Sequence, residues 1–500
     1  MWAATTAPRA ASSAVRRTSS QQSSGTNAAA AWRPSRRPSA AARPTRALGP
    51  AAAAAAAAAT DVAPARHQQH AQTQAGERPQ GELRFPDSYY DSEGRLVVKN
   101  LTLPQLEAWC ASIGEDGPKR ALQLWRFMYY DCKWIRSLED AAVERGAQNG
   151  FSPAFRAKFA GLATLDGGLL LQSIHSAADG TRKMVFKVAH GPAAGGQVET
   201  VLIPITREAG AKARITLCVS SQVGCDMGCQ FCYTGRMGLM GNLTAGQIVE
   251  QVVAARRLLW EEDVAAGVTK HITPITNLVY MGMGEPLHNL PAVLPSIETL
   301  CQPLGLHVSY NKITVSTVGL VPEMRQFAAE SRAVMAVSLH ATTDEVRDRI
   351  VPVNKRWPLA ELIGTMEELF PKDKELFPKD KAAPRHGHHV LVAYTMLRDV
   401  NDSDEDARRL LDLVKNIRCK VNLIVYNEYP GTPFRPSTPE RVQAFRSVLI
   451  QGGHVATVRD SRGDDQMAAC GQLGDPGLSA RPRPARPEAA AAATAAPAAA

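Results

Sequence analysis

The chain has 500 residues, 45% of them hydrophobic, which is enough for one large domain or two modest ones with a genuine core. Its formal net charge of +9 does not mark a polybasic nucleic-acid binder, because residues 1–60 hold eight Arg, no Lys and no acid, and the remainder is close to neutral. Nine Cys at irregular spacings, three of them inside Cys225–Cys232, argue against a secreted disulfide framework and for a metal site in a reducing compartment.

Residues 1–65 are rich in Ala, Arg, Ser and Thr, and read as an organelle transit peptide. A secretory h-region is missing, and Ala51–Ala59 falls short of the ~20 apolar residues of a membrane span. The chloroplast is the first choice of compartment; mitochondrion and cytoplasm are the alternatives. A plain disordered leader is the other reading, since the Pro/Ala/Arg-rich tail 476–500 looks similar. Residues 66–97 form a linker. Residues 98–165 predict a small helical accessory domain, with Leu106, Trp109, Leu124, Trp125, Phe127, Met128 and Trp134 at helical spacings.

Residues 166–475 read as a second, larger domain. The strand-like run Arg214–Val219 opens a series in which short β segments alternate with amphipathic helices. A helix over Thr244–Trp260 is opened by a Thr244/Gln247 capping box. Strands follow at Asn277–Tyr280, Ile313–Val315, Ala333–Leu339, Val390–Thr395, Val421–Val425 and Val455–Val458, with a helix after each of the first five. The fourth helix is assigned a Thr342/Glu345 box. Six β-then-α units predict an α/β fold, a partial (β/α)6 barrel, with its chemistry at the C-terminal strand ends. The tandem repeat Glu368–Lys374 and Glu375–Lys381 (ELFPKDK twice) reads as a duplicated loop insertion. His386, His388 and His389 beyond it read as solvated rather than metal-binding.

The strongest motif is Cys225-x3-Cys229-x2-Cys232, just after the first strand of the series. Three thiolates this close can hold one metal centre. A structural zinc takes four protein ligands, and no fourth Cys or His is near. A 4Fe–4S cluster usually takes four Cys, and with three, one iron keeps an open position for a small chelating molecule.

This spacing resembles the radical S-adenosylmethionine superfamily, in which adenosylmethionine fills that position and is reduced to a 5′-deoxyadenosyl radical. The wider stretch Leu217–Cys232 (LCVSSQVGCDMGCQFC) resembles the RlmN/Cfr family of RNA adenine methyltransferases. The resemblance continues through Gly282–Pro286 (GMGEP), Ser316–Gly319 (STVG), Ser338–His340 (SLH), Val351–Lys355 (VPVNK), Asn401–Ser403 (NDS), Arg462–Asp465 (RGDD) and Ala469–Leu473 (ACGQL). It implies a radical-SAM barrel whose Cys225, Cys229 and Cys232 hold one 4Fe–4S cluster. It implies an S-adenosyl-L-methionine site made by Gly284, Glu285, Ser316, Ser338, Leu339, His340 and Asn427.

The same resemblance gives Cys470 the role of methyl carrier. Cys218 would resolve the protein–RNA adduct by forming a disulfide with Cys470, and Glu199 would accept a proton. Carbon 2 of adenine is electron-poor, so direct transfer from a sulfonium fails there while a carbon radical can add. Rearomatisation then needs a base, and release of the adduct needs a second thiol. The implied substrate is large-subunit ribosomal RNA, with transfer RNA as a second candidate, and the implied electron donor is a ferredoxin or flavodoxin. A monomer with no membrane partner is expected.

Lys119, Arg120, Arg126 and Lys133 are candidate phosphate contacts, although a solvated helical face explains them equally well. Tyr233 departs from the small residue of many members. The rival readings are Cfr-type methylation at carbon 8, a radical enzyme with a non-RNA substrate, and a non-catalytic RNA-binding factor.

Overall fold

The computed structural model describes residues 81–129, 135, 137–139, 150–205, 214–268, 274–372, 389–459 and 461–475. The expected transit peptide, the C-terminal tail, Lys133, Trp134, the second ELFPKDK copy, His386 and His388 lie outside them.

Among the described residues two short parallel strands, β1 (Leu96–Val97) and β2 (Ala163–Thr164), bracket the helices α1 (Leu103–Ser112), α2 (Gly117–Tyr129) and α3 (Pro153–Leu162). Helix α1 begins where Thr102 and Gln105 cap each other reciprocally, and Ser152 caps α3 through the Phe155 amide. Leu106, Trp109, Leu124, Trp125, Phe127 and Met128 are buried, as their spacing predicts. Arg120 is not held out for phosphate. Its guanidinium lies 4.1 Å from the Phe155 ring centroid and bonds Glu115 and Gln123.

The predicted strand series begins at Arg214, but the structure places three strands before it. β3 (Leu169–Ser176), β4 (Arg182–Val188) and β5 (Gln197–Ile205) form an antiparallel run. These strands lack readable alternation. β3 is an edge strand with exposed Leu170, Leu171 and Ile174, and β5 is buried continuously from Val198 to Leu202. β6 (Arg214–Val219) pairs antiparallel with β5 on one side and begins the parallel part of the sheet on the other.

The chain then makes a small hairpin, β7 (Gln222–Cys225) with β8 (Gly238–Asn242), before α4 (Ala245–Ala265). The alternation continues as β9 (Ile275–Tyr280), α5 (Leu290–Cys301), β10 (Ile313–Thr317), α6 (Val321–Glu330), β11 (Val334–Ser338), α7 (Asp344–Ile350), α8 (Leu359–Leu369), β12 (Val390–Met396), α9 (Asp404–Val414), β13 (Cys419–Val425), α10 (Pro439–Gln451) and β14 (Ala456–Arg459). The Thr244/Gln247 box caps α4 as predicted. The cap of α7 is one residue later than predicted: Thr343 accepts from the Val346 amide. Thr342 instead donates to Asp406 on α9 at 2.8 Å. The first ELFPKDK copy begins inside α8, where Glu368 pairs with Arg325, and not in a free loop.

The ten-stranded sheet runs β14-β13-β12-β11-β10-β9-β6-β5-β4-β3. β6 and β9 through β14 are parallel, and β14 and β3 are the two edges, so the sheet curves as a partial barrel of six βα units and a final strand. In β10, Ile313, Val315 and Thr317 are buried while Thr314 and Ser316 line interior cavities. One continuous apolar core joins the N-terminal helices to the barrel.

Candidate active site at the C-terminal strand ends

Cys225 closes β7, and Cys229 and Cys232 follow in the loop before β8. The loop is fixed from outside. The Gln230 amide donates to the Ile350 carbonyl at 2.9 Å, and Tyr429 donates its hydroxyl to the Gln230 carbonyl at 2.8 Å. Phe231 packs with Ile350, Val351, Tyr426 and Tyr429. All three thiols face one pocket of about 140 Å³. Burial, then mutual repulsion, raises the Cys225 thiol well above its usual range, and burial raises Cys229 and Cys232 in the same direction. As bare thiols they stay protonated, so a cluster seated there displaces protons. Among the described residues no three His, Cys, Asp or Glu side chains group tightly enough for a single metal ion.

Opposite the thiols the pocket is lined by Gly284, Glu285, Ser316, Ser338 and His340. Gly284 sits at φ +99°, and a Cβ there would lie 2.6 Å from the Gln222 Cβ. The Gln222 side-chain oxygen accepts from the Glu285 amide at 2.8 Å, tying the GMGEP turn to the cysteine hairpin. The Glu285 carboxylate accepts from the Leu287 and Val318 amides at 3.1 and 3.0 Å. Burial nonetheless lifts it to about 7. A buried carboxyl this poorly solvated gains from a cationic partner, which suits the ammonium of an amino-acid ligand.

The Ser316 and Ser338 hydroxyls lie 3.3 Å apart. His340 adopts φ +60°, and burial lowers its ring to about 3. Its Nδ1 accepts from the Thr395 amide at 3.0 Å, so the neutral ring carries its proton on Nε2. Leu339 contributes backbone only: its amide donates to the Ala393 carbonyl and its carbonyl accepts from Arg347. The Leu339 side chain is buried and does not line the pocket.

A second, wider cavity of about 370 Å³ fills the barrel interior. Its lining includes Thr216, Asn277, Thr314, Asn422, Thr457 and Arg459. Met281, Leu391, Asn422, Ile424, Arg459 and Cys470 line both cavities. Asn427 faces this wider cavity and not the cysteine pocket. Its side chain donates to the Cys470 carbonyl at 3.0 Å and accepts from Ser461.

Cys470 is exposed on a loop that closes over the strand ends. The Tyr233 amide donates to the Gly471 carbonyl at 2.7 Å, and Thr234 donates to the Leu473 carbonyl at 2.5 Å, which ties this loop to the cysteine loop. The Tyr233 ring stacks obliquely on Tyr429, 5.1 Å away, outside the pocket lining. Cys218 is buried on β6. Burial lifts its thiol to about 12, Arg459 opposes that rise, and Cys470 adds to it. Both are free thiols, and no disulfide joins them.

Glu199 lies on β5 two residues before Val201, the partner of Cys218, and so on the same sheet face as Cys218. It lines neither cavity. It pairs with Lys183 at 3.3 Å and accepts from the Gly474 amide at 3.0 Å.

Three residues that position the site have no role in the sequence reading, although Gln222 and Asn401 fall inside its motifs. Arg347, fully buried, donates to the carbonyls of Val318, Ser338 and Leu339. Asn401 donates to the carbonyls of His340 and Thr395, and Gln222 acts as described. Asn354 of VPVNK and Asn401 of NDS lie in quoted motifs, and the structure gives both a scaffolding task.

Residues 219–411 match the family model for the Radical SAM superfamily. The chain is 40% identical over 388 residues to the dual-specificity RNA methyltransferase RlmN of Syntrophotalea carbinolica, covering 77% of this chain and 92% of that protein. It is 43% identical over 388 residues to the protein of that name from Cereibacter sphaeroides (strain ATCC 17025 / ATH 2.4.3), covering 76% and 90%. A crystal structure of a radical SAM methyltransferase from Sphaerobacter thermophilus superimposes with a TM-score of 0.63 at 36% identity, covering 75% of this chain and 98% of that one. With this identity across nearly the whole length of those relatives, and with the cysteine hairpin and strand-end pocket in place, the chain belongs to the RlmN family of radical S-adenosylmethionine RNA methyltransferases.

Proposed function

We propose that this enzyme methylates carbon 2 of adenine in large-subunit ribosomal RNA and in transfer RNA, with Cys470 as methyl carrier. The carrying observation is the place of Cys470 in the wall shared by two cavities, one holding the three loop thiols and the other wide and polar. A carrier must face both a methyl source and an acceptor base.

The family uses one 4Fe–4S cluster and S-adenosyl-L-methionine. Cys225, Cys229 and Cys232 would hold the cluster, and Glu285, Ser316, Ser338 and His340 would hold the amino-acid and ribose parts of the ligand. When bound, the pair supplies a methyl group and a 5′-deoxyadenosyl radical. The chain's own residues do the rest. Cys470 would present its methylated sulfur to the base cavity; with one hydrogen atom of that methyl group taken by the 5′-deoxyadenosyl radical, its carbon would add to carbon 2, and the one electron left over on the ring would pass back to the oxidised cluster. Glu199, behind the cavity wall on the Cys218 face of β5, would be the final acceptor of the ring proton. The Cys218 thiolate then attacks the Cys470 sulfur. The S–S bond forms, the S–C bond breaks with its electron pair going to carbon, and that carbon takes a proton to become the product methyl. A thiol reductant returns the disulfide to two thiols. Arg459 is placed to favour the Cys218 thiolate.

The test is nucleoside mass spectrometry after incubating RNA with anaerobically reconstituted enzyme, reductant and adenosylmethionine, with Cys470→Ala in parallel. 2-Methyladenosine that disappears in the variant supports the reading. 8-Methyladenosine would replace it with the Cfr-type reaction. The leader, acid-free over residues 1–60, supports an organelle address, for which the chloroplast is our choice, with a ferredoxin or flavodoxin as donor; a fluorescent fusion of residues 1–65 that stays in the cytosol or enters mitochondria would overturn that address.

A further inference from the structure

The Cys470 loop is held on both flanks by one buried ion pair. Lys183 on β4 reaches Glu199 at 3.3 Å and also donates to the Met467 carbonyl at 3.3 Å, three residues before Cys470. The other Glu199 oxygen accepts from the Gly474 amide at 3.0 Å, four residues after it. Gly474 can take this seat because it lacks a Cβ: its φ is +107°, and a Cβ would lie 2.4 Å from the Met237 sulfur.

The remaining groups around the pair do not duplicate it. Ser220 bonds the Glu199 carbonyl and not its carboxylate. Asp179 and Asp465 hold the start of the loop, through the Gly463 and Ala178 amides. Arg462 faces Asp179. Cys218, across from Val201, is the titratable neighbour on β6.

We infer that Lys183 is a positioning residue for the reaction, and that the Lys183–Glu199 pair is a latch on the Cys470 loop that opens when Glu199 loses its charge. The physical basis is the difference between a charged and a neutral acceptor. A carboxylate holds the Gly474 amide and the Lys183 ammonium by charge-assisted bonds; a protonated carboxyl holds both weakly and leaves a buried ammonium unpaired. The inference rests on the proposed function for its place in the cycle. There, Glu199 takes the ring proton, the flank at Gly474 is released, and Cys470 is freed to meet Cys218. Proton uptake from the base is thereby coupled to resolution of the adduct.

The test is hydrogen–deuterium exchange of anaerobically reconstituted enzyme without RNA, following peptides from 463–475. Lys183→Met and Glu199→Gln are each expected to speed exchange there by roughly tenfold or more, the worth of a lost charge-assisted bond. Peptides from Val390–Met396 should not change. Lys183→Arg should stay near wild type, and the double variant should open the loop by less than the product of the two single effects, because the two residues share the ion pair while each also holds one flank by itself. Unchanged exchange in both single variants overturns the latch, as does loosening that spreads equally through the barrel. The same Glu199→Gln protein, given RNA, tests the proton-acceptor reading separately: a trapped protein–RNA adduct supports that role, and its absence removes it while leaving the exchange result standing.

Discussion

Asn354 accepts a hydrogen bond from Arg347 at 2.8 Å, and this side-chain pair braces the ends of two neighbouring barrel strands from beneath. Arg347 carries the brace to the carbonyl of Val318 beyond β10 and to those of Ser338 and Leu339 at the end of β11. Asn354 carries it to Asp344 and Asp348 on α7. Ser316, Ser338 and His340 are therefore aligned by a guanidinium that none of them touches through its side chain.

Arg347→Met should lose about 3–5 kcal/mol of stability, the range for removing one partner of a buried charged network. Burial lowers the guanidinium to about 10, which still leaves it charged at neutral pH. Anaerobic urea titration would check this. A loss under about 1 kcal/mol would mean that waters replace the lost donors.

Much of the fold was legible in the sequence because its local signals agree with its tertiary pattern. The Thr244/Gln247 box and the apolar stripe of α4 place that helix without reference to anything distant. The α7 cap was misplaced by one residue because Thr342, with Glu345 three residues on, fits the box pattern while Thr343, followed at that spacing by Val346, does not; the distant Asp406 draws Thr342 away and Thr343 caps the helix. Arg347, Gln222 and Asn401 were not legible as site-builders, since each reaches the site through a bond to a backbone group far along the chain: the Val318 carbonyl, the Glu285 amide and the His340 carbonyl. Glu199 was singled out only by resemblance. Its partner Lys183 sits on a strand whose pairing the sequence does not announce.

Glu285 predicts a pH dependence in two directions. Its folded-state value is about 7 against an ordinary 4.5, so the folded state binds the extra proton. Its contribution to stability is therefore greatest below the unfolded value and falls as pH rises toward 7. Affinity for adenosylmethionine should move the other way, since the ammonium needs the charged carboxylate. Between pH 6 and pH 8 the Kd should tighten by about tenfold. Equilibrium dialysis on reconstituted enzyme measures it, and a flat profile would remove Glu285 from ammonium binding.

Asn401→Ala removes one side chain that serves three backbone groups: the carbonyls of His340 and Thr395 and the amide of Leu397. The expected loss is about 2–4 kcal/mol, as several buried groups go unpaired. His340, held at positive φ, should lose its fixed seat first. Weaker adenosylmethionine binding with iron content intact would show this, because the three loop thiols are held by other contacts.

Arg459→Met isolates the second thiol. Arg459 lines both cavities, and its guanidinium lies 3.7 Å from the Met281 sulfur. It opposes the burial that lifts Cys218 to about 12. Removing the positive charge moves the thiol further up, so less thiolate is present at any working pH and attack on Cys470 slows. Methylation of Cys470 does not use Cys218, so any slowing of that step would report on the other place of Arg459, in the lining of the cysteine pocket. Single-turnover reactions should then accumulate methylated Cys470 and protein–RNA adduct while free methylated RNA appears more slowly, because less thiolate is present. Raising the pH should restore part of the rate. If product forms at the wild-type rate, Cys218 does not depend on Arg459 for its charge, and another group must supply the thiolate.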